Sequence, residues 1–62
     1  MKFAIYDPYI NGYWYHDGSF QDDWKKAQIF LTREDAEKYL NWIINHHEDG
    51  SAAKRFIVRQ VK

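Results

Sequence analysis

The chain has no cysteine, one proline, three glycines, no net charge and no long apolar run in its 62 residues. Each shortage removes a class of explanation. Without cysteine no disulfide can staple a small domain, and the same lack fits a reducing cytosol. Nine basic side chains against nine acidic ones argue against a strong electrostatic grip on nucleic acid or anionic lipid, because non-specific affinity for DNA grows with the phosphates neutralised. The opening Met-Lys-Phe-Ala-Ile-Tyr-Asp reaches an acid at Asp7, which is neither the apolar stretch of a signal peptide nor a spanning segment. A cytoplasmic chain without membrane contact is expected. Gly12, Gly18 and Gly50 stand apart as turn residues, with no phosphate-loop spacing.

Aromatic residues are abundant instead: five Tyr, four Phe and three Trp. A chain of this length buries only ~60% of the surface that its unfolded form exposes, so one small core cannot enclose every ring. Exposed rings mark a contact surface. Domains below about 70–80 residues also need a staple, a subunit partner or a rich core; here aromatic packing and self-association remain.

Lys2 to Tyr6 alternates and is rich in β-formers, which predicts a strand ended by Asp7-Pro8. Asn11-Gly12 is a hairpin signal, and Tyr13-Trp14-Tyr15-His16 is the returning strand. The turn is either Asn11-Gly12 alone or a longer loop from Asp7 to Gly12. Both registers pair odd with even positions, so Ala4, Tyr6, Tyr13 and Tyr15 share one face, and Phe3, Ile5, Trp14 and His16 the other. Asp17 to Lys26 reads as a loop and Ala27 to Leu31 as a short third strand. Thr32 supplies an N-cap, with Glu34 and Asp35 in the first turn. A helix from about Arg33 to His47 follows, its apolar stripe being Ala36, Tyr39, Leu40, Ile43, Ile44 and His47. Asp49-Gly50 ends it, and Lys54 to Val61 is the last strand. The expected fold is α+β: one domain spanning 1–62, a small antiparallel sheet of three to four strands with one helix on one face.

One helix covers one sheet face. Phe3, Ile5, Trp14, Phe56 and Val58 are the expected core set, which leaves Tyr6, Tyr13 and Tyr15 beside Arg55, Ile57, Arg59 and Val61 on the uncovered side. Three readings fit that side. Tyrosines suit strands and tolerate water, with arginine stems over the rings. Tyr and Arg are also enriched in protein contacts, including homodimers. Single-stranded nucleic acid could stack on the tyrosines, with Arg55 and Arg59 at phosphates, although the zero net charge counts against it. Trp42 points away from the helix stripe, flanked by Asp35, Tyr39 and His46. It either packs on the 17–26 loop, near Trp24 and Phe20, or anchors a partner.

No catalytic or metal constellation accompanies these rings. Adjacent His46 and His47 on a helix point about 100° apart and cannot readily share an ion. Asp22-Asp23 reads as a solvated pair, and Ser19 and Ser51 lack a base placed by sequence. The expectation is a non-enzymatic protein that takes no cofactor and no metal.

Gly18-Ser19-Phe20-Gln21-Asp22-Asp23-Trp24, then Ala27, Phe30, Thr32, Glu34-Asp35-Ala36 and Tyr39, closing with Phe56-Ile57-Val58-Arg59-Gln60-Val61, resembles a pattern of small bacteriophage-encoded proteins. Their acidic loop leads through Ala-x-x-Phe into Thr-x-(Glu/Asp)-(Glu/Asp)-Ala and a helix, and most have no assigned activity. The Tyr6-Asp7-Pro8 to Gly12 opening is similar too. Thr32, Asp35, Ala36, Trp42, Phe56, Val58 and Arg59 are similar in kind to the T7-type phage inhibitor of host RNA polymerase, from which the acidic loop departs. The resemblance implies a small phage protein, acting in the host cytoplasm, that binds and modulates a host protein. The residues expected to carry contact are Tyr6, Tyr13, Tyr15, Arg55 and Arg59, then Trp42 and His46.

Overall fold

Phe3–Asp7 forms β1, the strand around which the sheet is built. A computed structural model describes residues 1–46 and 53–62. β2 (Gly12–Trp14), β3 (Phe20–Gln21), helix α1 (Arg33–His46) and β4 (Ile57–Gln60) follow. The sheet is antiparallel in the order β3-β2-β1-β4. β1 pairs Tyr6 with Tyr13 and Asp7 with Gly12 on one side, and runs from Phe3–Gln60 to Tyr6–Ile57 on the other. Odd positions of β1 therefore face the helix and even positions face away, the partition expected from either hairpin register. The fold is α+β, with helix α1 packed on a sheet of four strands among the described residues.

The hairpin uses the longer connection. Pro8 to Asn11 make the loop, Asn11 takes the left-handed region at φ 54°, and the Tyr9 amide donates to Asp7 Oδ1 at 3.0 Å. Gly12 is needed for space rather than for its turn conformation. A Cβ there would lie 2.9 Å from Phe20 Cβ. Its absence leaves room for Phe20, which reaches Phe56 in the turn before β4, ring centroids 5.3 Å apart and edge-on.

Residues 17–31 depart from expectation. The predicted loop contains β3, which Trp14 recruits by pairing with Phe20, and a 3-10 turn at Trp24–Lys26 capped by Asp23. Ala27 to Leu31 is not a strand. Its Gln28 amide donates to Trp14 O at 3.1 Å, while Phe30 and Phe3 exchange bonds of 2.8 and 2.9 Å. This single bridge lies beside β1 beyond the end of β2. The segment thus satisfies backbone groups that β2 leaves unpaired.

Thr32 caps α1 as its position predicts, Oγ1 accepting from the Asp35 amide at 3.1 Å. Ala36 and Ile43 are buried, and Tyr39, Leu40 and Ile44 pack around the core of Ile5, Trp14, Ile43 and Ala53. Expected stripe residue His47 and the Asp49-Gly50 stop lie outside the described residues. β4 begins at Ile57, not Lys54. Before it, the Phe56 amide closes a turn onto Ala53 O at 3.0 Å.

Candidate functional site

The sheet face opposite α1 brings together Tyr6, Tyr13 and Arg59, with Ile57 beside them. Tyr6 lies at its centre. The Arg59 guanidinium sits 4.6 Å above its ring, Tyr13 tilts against it at 4.8 Å, and its hydroxyl donates to Asn11 Oδ1 at 2.5 Å. These neighbours leave Tyr6 only 8% exposed, although α1 is on the other side. Tyr6 is therefore the floor of the face. Tyr13 is half-buried, Arg59 exposed and Ile57 47% exposed. Tyr15 lies one residue past the end of β2, its ring against His16 at 4.0 Å. His16 Nδ1 in turn is 3.2 Å from Gln28 Oε1.

Arg55 does not join this face. It lies in the turn before β4, where strand alternation no longer sets its direction. Its Nε donates to both Asp7 oxygens at 3.0 and 3.1 Å, and a terminal nitrogen reaches Oδ2 at 2.9 Å. Tyr9 and Phe56 rings flank the guanidinium at 5.0 and 6.0 Å. The Arg55 hydrogen bonds hold the Asp7 carboxyl below its ordinary range, against the opposing effect of burial. The Tyr9 amide and the charge of Arg55 act in the same direction. Asp7 as a buried acid, and the loop tip Tyr9-Ile10 with Tyr9 80% exposed, carried no signal beyond an Asp-Pro turn.

Trp42 and His46 form a separate surface on α1. The indole is 53% exposed and stacks between Tyr39, at 5.7 Å and 25°, and His46, at 4.8 Å and 17°. His46 Nδ1 donates to Trp42 O at 2.9 Å, one turn back. Of the two ring partners considered in the 17–26 loop, Phe20 turns to Phe56 instead. Tyr39 also touches Trp14 and Phe30, at 5.0 and 5.5 Å. A column of rings thus leads from the core to the helix surface.

Other polar groups are engaged locally. Asp17 accepts from the Ser19 amide and hydroxyl at 2.8 and 2.6 Å, and these bonds lower its pKa. Among the described residues there is no cluster of three metal-ligating side chains and no enclosed pocket. No described helix is long and apolar enough to cross a membrane. Comparison with protein-family models, with curated proteins and with solved structures finds no match to this chain.

Proposed function

We propose that this chain is a small non-enzymatic binding protein that acts by covering a surface of another protein. The contact face is the side of the sheet turned away from α1, with Trp42 and His46 as a second anchor. The observation that carries this reading is the pre-ordered Tyr6–Tyr13–Arg59 cluster. Its floor is held by a hydrogen bond and a ring contact, while Arg59 and Ile57 stay open to solvent. Ordered Tyr and Arg groups lose little conformational entropy on docking and are the common hot spots of protein interfaces. The carboxylates of Asp7, Asp17 and Asp23 are engaged in structural bonds, which favours binding over catalysis. The resemblance to phage-encoded proteins makes a host protein the expected partner, and modulation or inhibition of it the expected effect.

Nucleic acid stacked on the same face draws less support. Arg59 already covers the Tyr6 ring, and Arg55 is paired with Asp7, so one ring and one cation of that scheme are occupied. The test is capture of partners from host lysate by the wild type and by Tyr13→Ala with Arg59→Ala. The double variant is expected to lose the partners. If it keeps them all, the face is misassigned.

A further inference from the structure

β4 is an edge strand, and its outer side is unpaired among the described residues. Phe3 directs its amide and carbonyl to Phe30, so its other neighbour, Gln60, turns its own backbone groups away from β1. Two residues back, Val58 opposite Ile5 does the same. The amides and carbonyls of Val58 and Gln60 therefore line the open edge. At the far end the amides of Val61 and Lys62 both donate to Lys2 O, at 2.8 and 3.4 Å, and the Lys2 amide donates to Lys62 O. That two-against-one pattern is a β-bulge, and it limits the open ladder to the Ile57–Gln60 strand.

The chain segment that carries this edge bears charge of one sign. Residues 53–62 contain Lys54, Arg55, Arg59 and Lys62 and no acid, and Lys2 lies on the adjoining strand's flank. Arg55 is neutralised by Asp7. The ion pairs of the described residues are Lys38–Glu34 and Arg55–Asp7, so Lys2, Lys54, Arg59 and Lys62 have no carboxylate partner among them. Resting on the reading of the Tyr/Arg face as the contact side, we infer that its partner presents an extended acidic segment. That segment adds to β4 as a fifth strand. Backbone bonds to Val58 and Gln60 supply affinity, and a carboxylate beside Arg59 supplies selection. One register of a second copy on this edge is disfavoured. Pairing Val58 with Gln60 of a two-fold mate sets Arg59 directly opposite its equivalent, and like charges so placed repel.

The test uses the isotope-labelled chain and three blocked eight-residue peptides. One alternates glutamate and valine, one alternates lysine and valine, and one is the glutamate peptide N-methylated at every residue. The glutamate peptide is expected to shift the Val58 and Gln60 amide resonances saturably and to slow their hydrogen exchange. It should bind about tenfold more tightly than the lysine peptide, the contrast between an opposed and a like charge pair. N-methylation should abolish binding. Arg59→Gln should narrow the preference and Arg59→Glu reverse it, while added salt weakens binding to the wild type. Equal binding of both charge types overturns the inference, as does no response at millimolar peptide. Protection of Val58 and Gln60 that grows with protein concentration alone would identify a second copy and also overturn it. Peptide failure alongside lysate partners lost by the Tyr13/Arg59 variant removes the added strand but not the face.

Discussion

Arg55→Ala removes the cation bonded to the buried Asp7 carboxylate, and its cost is set by burial. The Asp7 side chain is 1% exposed and that of Arg55 is 44% exposed. Removing one partner of a wholly buried pair costs about 3–5 kcal/mol, whereas a surface pair is worth about 0–1. Half-solvated Arg55 places the cost between these limits. Asp7 also keeps its bond from the Tyr9 amide, so the expected loss is about 1–3 kcal/mol. A domain of this length has about 3–9 kcal/mol of stability in all. Urea unfolding followed by tryptophan fluorescence, with a slope near 1 kcal/mol/M, would move the midpoint down by about 1–3 M. Acid should narrow the gap between the proteins. The folded-state pKa of Asp7 lies below 3.8, so its stabilisation is complete above that value and is lost as pH falls through the folded pKa. The gap left in acid reports the Tyr9 and Phe56 contacts of the guanidinium, about 0.5–1 kcal/mol each. A midpoint unchanged at neutral pH, or a gap equally wide well below pH 3.8, would refute the buried-pair account.

Gly12→Ala should cost about 1–3 kcal/mol in thermal or urea unfolding, because the new methyl meets Phe20 Cβ at 2.9 Å. Gly18→Ala, with open space but φ 90°, should cost about 1 kcal/mol through the backbone alone. Ile43→Ala should lose about 2–5 kcal/mol, while Trp42→Ala, half exposed on the same helix, should lose about 1 kcal/mol or less in the same unfolding assay. Thr32→Ala removes the cap bond to Asp35 and should cost about 1 kcal/mol, with fraying at residues 33–35 visible in amide exchange.

The two faces of the sheet were legible because parity survives uncertainty about a turn. The Asn11-Gly12 turn and the longer Asp7 to Gly12 loop both keep Ile5 on the face of Trp14 and Tyr6 on the face of Tyr13, so the core side followed from alternation. α1 was legible from the Thr32 cap and the periodic Ala36, Leu40 and Ile43. β3 was not, because a two-residue strand has no period of its own and exists through its pairing with Trp14. The Ala27–Leu31 segment has strand composition, yet β2 occupies the position beside β1 over most of its length. Only Phe30 finds a place there. Arg55 was misplaced because alternation was carried past the start of β4 into a turn. The partner that draws it inward, Asp7, lies at the other end of the chain. Long-range pairing of that kind leaves no local pattern to read.

The longest ladder of the sheet joins Phe3 to Gln60 and Tyr6 to Ile57, and this has a kinetic consequence. β1 and β4 are far apart along the chain, so β1 lacks its β4 neighbour until the long intervening loop closes. Until then, one side of β1 stays bare and Ile5 lacks Val58 as its neighbour. The closure entropy of so long a loop falls on the folding barrier, slowing assembly relative to a helical chain of equal size. The folding chain thus keeps one side of β1 open to chaperones and proteases until β4 docks.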